Sequence, residues 1–257
     1  MIGLNGGLVG RPRSLYANTG IWTPNEQRLS KNDPYWDSVS LLLHMDGANA
    51  STTFTDSSKN TLAVTANGNA QISTTNVKYG SGCGLFDGTG DTLTLSDTDL
   101  LEFGSGDYTI EMWINTTQAT QYATLFSRMN GAFTNGSWTL LINNSGASGG
   151  EVAWWAQNHS IAGPMMTTSG VSIIDGAYHH IAVVRNRSSH AIYVDGVSRA
   201  TATTTYTISN VALGVTVAGD ANYGRNFNGR IDDLRITKGV ARYTANFTPP
   251  AAPFPDA

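Results

Sequence analysis

The distribution of proline most constrains what this chain can fold into. Of the 8 prolines in 257 residues, only Pro164 lies between residues 37 and 243. Because proline cannot donate a backbone hydrogen bond to a neighbouring strand, a long segment nearly free of it can form a large β-sheet. We therefore expect residues 1–36 to form an irregular N-terminal arm, residues 37–243 a β-domain, and residues 244–257 an extended proline-rich tail.

Alternating apolar residues within residues 37–243 predict many short strands. The segment DYTIEMWINTT (107–117) places alternate side chains on one face, namely Tyr108, Ile110, Met112 and Ile114. The segment HHIAVVRNRSSHAIYVDG (179–196) predicts a hairpin followed by a turn at Asp195-Gly196. No apolar stripe of helical period accompanies them. The sequence therefore predicts an all-β fold, a two-sheet antiparallel sandwich.

Composition excludes several classes of partner. Charged residues make up 13% of the chain and the net charge is −4, so the basic surface that nucleic acid requires is absent. No apolar run approaches the roughly 20 residues of a membrane span. Gly and Arg interrupt the N-terminal residues MIGLNGGLVGRPRSLY, so we expect no secretory signal and folding in a cytoplasm. The single cysteine, Cys83, permits no intrachain disulfide and is expected to be buried.

With its strands in order, the chain resembles the laminin G-like group of concanavalin A-like jelly rolls. The segments that carry the resemblance are LLLHMDG (41–47), FTDSSKN (54–60), GSGCGLFDGTGDTLTL (80–95), DYTIEMWINTT (107–117), GAYHHIAVVRN (176–186), AIYVDG (191–196) and FNGRIDDLRITKGVARY (227–243). The resemblance implies two curved antiparallel sheets packed face to face. Members of this group bind glycans or proteins, and some are fused to glycosidases.

The arm carries a second resemblance. Its segment GLVGRPRSLYANTGIWTPNEQR (7–28) looks like the N-terminal segments of tailed-bacteriophage structural proteins, in which a similar jelly roll follows. An arm this apolar and irregular should become ordered against a partner. The resemblance implies that the partner is a neighbouring virion protein, and that the chain is a homo-oligomer, a trimer by analogy. The residues expected to dock are Leu8, Leu15, Tyr16, Ile21 and Trp22.

Two adjacent carboxylates, Asp232 and Asp233, lie in the predicted last strand. Retaining glycosidases need two carboxyl groups about 5 Å apart, with a wider gap in inverting enzymes. Adjacent strand residues point to opposite faces, so this pair is not expected to form such a dyad. We predict that Asp233 pairs with Arg235 or Arg230.

Asp232 leaves two alternatives open. It is predicted to share an inward face with Leu234 and Ile236, where a carboxylate needs a hydrogen-bonding or metal partner. One alternative is that it accepts backbone N–H bonds at a turn. The other is a structural Ca²⁺, which the resemblance implies at the place where the first and last strands meet. The expected ligands there are Asp46 and Asp232, with Asp56 as a weaker third.

Aromatic residues provide the candidate glycan contacts, because sugars stack their C–H faces on aromatic rings. These residues are Trp154, Trp155 and Tyr223. The two tryptophans are adjacent in a predicted strand and point to opposite faces, so we expect one in the core and one exposed. The alternative, that both pack inside the protein, stays open.

The resemblance and the residues together predict a non-enzymatic virion protein. It would be a tail-fibre or receptor-binding subunit that presents a jelly roll to a host surface glycan, assembled in the host cytoplasm and exposed on the particle. One alternative is a capsid decoration protein. A second is a polysaccharide-degrading glycosidase, against which the sequence lacks the spaced acids (E-x-D-x-x-E or similar) that jelly-roll glycosidases place on one strand.

Overall fold

The computed structural model describes residues 32–120, 122–129, 137–144, 149–156, 165–208, 212–220 and 223–257. The predicted docking residues of the arm (Leu8, Leu15, Tyr16, Ile21 and Trp22) lie outside the described residues. Two 3₁₀ turns, Trp36–Ser38 and Asp99–Leu101, occur in the described part of the chain. Among those residues, no helix is long and apolar enough to cross a membrane.

The remaining regular structure is β-strand. The strands are β1 Val39–Leu43, β2 Thr65–Asn67, β3 Gln71–Ser73, β4 Cys83–Asp87, β5 Thr92–Leu95, β6 Tyr108–Asn115, β7 Ala123–Arg128, β8 Trp138–Ile142, β9 Val152–Ala156, β10 Met166–Thr167, β11 Tyr178–Asn186, β12 Ser189–Val194, β13 Val197–Thr203, β14 Val215–Val217 and β15 Asn228–Lys238. The hairpin predicted within residues 179–196 is confirmed as β11 and β12, and Asp195-Gly196 joins β12 to β13.

The strands form two antiparallel sheets. Sheet A contains, in spatial order, β13, β12, β11, β6, β15, β4 and β3, and β1 also pairs with β15. Sheet B contains β10, β9, β8, β7, β14, β5 and β2 in that order. The predicted all-β, two-sheet antiparallel sandwich is therefore confirmed.

The main core lies between the sheets. The alternate residues of β6 that the sequence placed on one face (Tyr108, Ile110, Met112 and Ile114) belong to this core, as do Leu93 and Leu95 of β5. Burial of apolar surface at about 25 cal/mol per Å² drives the two inner faces together. The predicted burial of Cys83 is also confirmed. Every residue of β6 is buried, so the outer face of sheet A must be covered as well.

The chain end provides that cover. Residues 239–257, here called the C-terminal strap, lie over the outer face of sheet A, so the segment predicted as an extended tail is part of the folded domain. One strap cluster packs Ala241, Tyr243 and Phe247 on Ala182, Val184, Ala191 and Tyr193, and a second packs Phe254 on Val39 and Leu42. At the turn before β13, Phe247 donates its N–H to the Gly196 carbonyl at 2.9 Å. A Cβ at Gly196 would come within 1.9 Å of the Phe247 carbonyl oxygen, so only glycine permits this approach.

A buried ion-pair network lies beneath the strap. Arg235 donates from Nε and Nη2 to Glu111 Oε1 at 2.9 and 2.8 Å, and from Nη1 to Asp33 at 2.9 Å. Tyr243 donates its hydroxyl to the other Glu111 oxygen at 2.7 Å. Burial alone would raise the pKa of Glu111, but the charge of Arg235 outweighs it and holds that pKa well below its usual range. Arg242 joins the network through Asp33.

A β-bulge in β15 accounts for the adjacent aspartates. Asp233 has φ 51°, and the pairing of β15 with β6 shifts register between Asp232 and Arg235. The prediction that Asp232 shares the inward face of Leu234 is therefore wrong, because the bulge turns both aspartates away from the core, while Ile231 and Leu234 stay in it. The bulge separates the part of β15 that pairs with β4 from the part that pairs with β1.

Candidate functional site

A row of hydroxyl groups crosses the outer face of sheet B. The cross-strand register places six residues side by side, namely Thr65, Thr94, Thr216, Ser127, Thr139 and Trp155. Their sequence neighbours, such as Leu140 and Trp154, belong to the core, so this row points away from it. The row ends in an indole. Ser127, Thr139 and Thr216 are buried, so only Thr65, Thr94 and Trp155 of this row reach the surface.

The structure separates the two tryptophans as expected. Trp154 is completely buried between the sheets. It is therefore corrected as a candidate glycan contact, because no ligand at the surface can touch it. Trp155 points to the opposite face, is half-buried, and donates its Nε1–H to Asn144 Oδ1 at 2.8 Å. This bond fixes the plane of the ring that the hydroxyl row leads to.

An arginine lies between two tyrosine rings on sheet B, next to the start of β7. The Arg225 guanidinium carbon lies 4.6 Å from the Tyr122 ring centroid and 4.4 Å from that of Tyr223. Tyr223 is 46% exposed, so it presents a ring that the arginine holds in place. Asp220 accepts the Tyr223 N–H at 2.6 Å and fixes the loop that carries this ring.

Backbone contacts connect these groups into one surface. Tyr122 donates its N–H to the Asn143 carbonyl at 2.9 Å, and Asn144, the next residue, binds Trp155. We call the surface formed by Tyr122, Asn144, Trp155, Tyr223 and Arg225 the aromatic rim. Sequence reasoning found Trp155 and Tyr223 but missed the other three, because strand pairing brings them together from distant parts of the chain.

The candidate calcium ligands Asp46 and Asp232 hold one loop. Asp232 Oδ2 accepts the N–H groups of Lys78 and Tyr79 at 2.8 and 3.2 Å. Asp46 Oδ1 accepts the N–H of Gly82 at 3.0 Å. The alternative in which Asp232 binds backbone N–H groups is thus observed, although the donors belong to the loop before β4. Asp232 Oδ1 is buried and has no hydrogen-bond partner, which leaves one oxygen that a cation could use.

The third candidate ligand, Asp56, is occupied within its own loop. Asp56 accepts four hydrogen bonds, from the N–H groups of Leu42, Ser58 and Leu62 and from the Ser58 hydroxyl. Its carboxylate therefore stabilises its own loop. Within the described residues, no group of three or more His, Cys, Asp or Glu side chains could hold a metal ion. Any Ca²⁺ at Asp232 and Asp46 would depend on backbone carbonyls and water for its remaining ligands.

Asp233 does not pair with an arginine. The prediction of Arg235 or Arg230 is wrong, because the bulge directs Asp233 toward β1 and the strap. Its Oδ1 lies 2.6 Å from His44 Nδ1, and its Oδ2 accepts the Phe254 N–H at 2.7 Å. His44 Nε2 also lies 2.7 Å from Asp256. Burial lowers the pKa of His44, but hydrogen bonds with the two aspartates and their charges outweigh it and raise it to about 9.

Replacing Asp232 with Asn tests the buried carboxylate. Burial raises the pKa of Asp232 to about 7, against the opposing N–H bonds from Tyr79 and Lys78. Because the folded state binds this proton more tightly than the unfolded state, stability falls as pH rises from about 4 to about 7. Asp232→Asn should therefore raise the free energy of unfolding at pH 8 by about 1–3 kcal/mol and change it little at pH 4.

Urea denaturation at the two pH values, with and without Ca²⁺, measures this effect. If the cation binds, Ca²⁺ should stabilise the natural chain at pH 8 and leave the Asp232→Asn variant unchanged. A variant that is less stable at pH 8 without Ca²⁺ would show that the ionised carboxylate is not a cost to the fold.

The chain belongs to a known family. Residues 87–242 match the Laminin_G_3 family, described as the concanavalin A-like lectin/glucanases superfamily. The matched segment runs from the end of β4 to the C-terminal strap and includes the aromatic rim. The search of curated proteins found no match.

Solved structures share the fold at low sequence identity. The binding domain of Paraclostridial Mosquitocidal Protein 1 matches with a TM-score of 0.61 and 16% identity, over 80% of this chain and 50% of that one. Domain 4 of AbnA, a GH43 extracellular arabinanase from Geobacillus stearothermophilus in complex with arabinotriose, matches with a TM-score of 0.56 and 17% identity, over 79% and 94%. The binding domain of botulinum neurotoxin DC in complex with SialylT matches with a TM-score of 0.56 and 16% identity, over 80% and 49%. The chain thus spans about half the length of the two toxin domains.

Proposed function

We propose that this chain is a carbohydrate-binding domain that uses the aromatic rim of sheet B. The observation that carries the proposal is the exposed Tyr223 ring, held against Arg225 within the aromatic rim. Two domains of similar fold have been solved in complexes with arabinotriose and SialylT, which supports a sugar as the ligand. The strap covers the outer face of sheet A, so sheet B is the face proposed for the ligand.

The proposed domain binds without catalysing a reaction. Glu111 lies on the outer face of sheet A, where a glycosidase acid could stand, but it is completely buried and bonded to Arg235 and Tyr243. Asp232 and Asp233 hold the loop before β4 and the strap. Each of these carboxylates therefore has a structural role that accounts for its position. Incubation of the chain with polysaccharides, followed by an assay for reducing ends, tests this part of the proposal, and released ends would contradict it.

More specifically, we propose that the chain is a receptor-binding subunit of a tailed-phage particle, exposed on the virion and oligomeric. Its support is the resemblance of residues 7–28 to phage arms, together with a folded domain of a sugar-binding type. Cryo-electron microscopy of the assembled particle tests it. Tail-located copies with the aromatic rim pointing outward would support receptor binding. Hundreds of copies on the capsid lattice would assign decoration instead, and absence from any particle would overturn the phage assignment.

Tyr223→Ala tests the binding surface. A glycan array first identifies a ligand for the full chain, and titration calorimetry then measures its affinity. Loss of the exposed ring should weaken binding by about 10-fold, because truncation of an aromatic residue central to an interface costs about 1.4 kcal/mol or more.

Tyr35→Ala is the matched control. Tyr35 is 42% exposed and also lies against an arginine, Arg242, at 5.3 Å, but it is far from sheet B in the fold, beside the strap. This variant should bind like the natural chain. Equal affinity for the Tyr223→Ala variant and the natural chain would exclude the aromatic rim as the binding surface.

A further inference from the structure

A second candidate site lies at the other end of the sandwich. The aromatic rim adjoins the loop after Asn115, the last residue of β6, whereas Tyr108 begins β6 at the opposite end. Tyr108, Arg185 and His190 stand directly opposite one another on adjacent strands of sheet A. Tyr108 belongs to the core, so its cross-strand neighbours Arg185 and His190 also face the interior at this end.

Arg185 is a buried cation without a counter-ion. It is 2% exposed, and it donates from Nε to the Arg187 carbonyl at 2.9 Å and from Nη1 to the Gly104 carbonyl at 3.2 Å. Among the described residues no carboxylate forms an ion pair with it. The other two buried arginines do have such partners: Arg128 binds Asp97 and Glu102, and Arg235 binds Glu111 and Asp33. Burying a charge without a partner is costly, so this exception makes Arg185 a candidate anion-binding residue.

Buried aromatic polar groups surround this cation. The hydroxyls of Tyr108 and Tyr206 and the Trp154 indole interact with one another, and the His190 ring is also buried. The Tyr206 ring stacks on His190 at 5.5 Å and lies 5.6 Å from the Arg185 guanidinium carbon. Indole and guanidinium groups can only donate, so the cluster has more donors than acceptors. Burial and the Arg185 charge lower the pKa of His190 to about 4, so its ring is neutral at pH 7.

A surface groove opens onto Arg185. Its volume is about 620 Å³ and it is lined by Ser105, Gly106, Asp107, Arg185, Arg187, Ser188, Thr205 and Gly239. The lining includes the hydroxyls of Ser105, Ser188 and Thr205, which can hydrogen-bond the hydroxyl groups of a ligand. Asp107 also lines the groove; its carboxylate accepts the Arg187 N–H at 2.6 Å and forms no ion pair with Arg185.

We propose that this groove binds the carboxylate group of an acidic sugar at Arg185, as a site separate from the aromatic rim. The inference rests on the proposed function for the class of ligand, since a sugar acid combines the anion that Arg185 lacks with the hydroxyls that the groove can bind.

Titration calorimetry of the full chain with potassium glucuronate tests the site. Glucose and potassium chloride at matched ionic strength are the comparison ligands. The natural chain should bind glucuronate more tightly than either of them. Arg185→Met should weaken glucuronate binding by about 10-fold or more, because it removes a charge-assisted hydrogen bond. Arg199→Met removes an exposed arginine of β13 and should bind like the natural chain.

Thr205→Val keeps the proposal testable if the Arg185→Met variant does not fold. It removes one exposed hydroxyl that lines the groove, and it should weaken glucuronate binding by about 3–5-fold. Equal binding of glucuronate and glucose, an equal response to chloride, or unchanged affinity in either variant would overturn the proposal.

A neutral glycan bound at the aromatic rim should be unaffected by Arg185→Met. If the natural chain bound a neutral glycan at the rim but did not bind glucuronate, this inference alone would be overturned. Loss of all glycan binding at the rim with glucuronate still bound would overturn the proposed function and leave a carboxylate site.

Discussion

Replacing Arg235 with Met is expected to destabilise the domain by about 3–5 kcal/mol. The substitution keeps the length of the side chain but removes the cation that Glu111 and Asp33 share, and leaves Arg242 as the remaining arginine beside them. Removal of one partner from a buried ion-pair network costs more than the pair contributes, because buried charge loses a counter-ion without regaining water. The domain should therefore unfold at a much lower urea concentration.

Urea denaturation followed by tryptophan fluorescence measures the loss. Lys59→Met is the matched control, since Lys59 pairs with Asp37 at 3.2 Å on the surface, where Asp37 is 98% exposed. That variant should lose less than about 0.5 kcal/mol. If both variants lost the same small amount, the network beneath the strap would not contribute to stability.

Replacing Phe254 with Ala is expected to cost about 3 kcal/mol and to release the C-terminal strap. Phe254 is 3% exposed, packs on Val39 and Leu42, and lies 3.8 Å from the Arg235 guanidinium carbon. Truncation of a buried phenylalanine loses both its transfer free energy and its packing contacts. Since the ring also covers the ion-pair network, its loss admits water to Arg235.

Limited proteolysis with mass spectrometry should show early cleavage within residues 239–257 of this variant, and urea denaturation gives the stability loss. Tyr223→Ala removes an aromatic ring that is 46% exposed and serves as the control, with an expected change below about 0.5 kcal/mol. A strap of unchanged protease resistance in Phe254→Ala would mean that its other contacts hold it in place.

Periodicity predicted the inner face of the sandwich well. The alternation in β6 and β5 assigns Tyr108, Ile110, Leu93 and Leu95 to the core, because a strand buried on one face must alternate. The same rule failed in β15, where one extra residue in the bulge reverses the faces. Aspartate tolerates the left-handed conformation that Asp233 adopts, but a single Asp in a sequence does not reveal a bulge.

The candidate site was less accessible to sequence reasoning. The adjacency of Trp154 and Trp155 predicted opposite faces, and the structure has one in the core and one half-buried at the surface. Tyr122 and Arg225, however, meet only because β7 and the segment before β15 lie at the same end of sheet B. Arg185 gave no signal, because its lack of a counter-ion depends on every side chain packed around it.

Contact between Asp33 and Ala257 determines how tension between these two residues acts on the domain. Asp33 donates its N–H to the Ala257 carbonyl, and its carboxylate binds Arg235 and Arg242. A pull applied through residue 33 and residue 257 would therefore load this small junction first and transmit little force to the strands. Under such a pull the strap would yield before the sandwich opens, and the aromatic rim of sheet B would keep its shape under load.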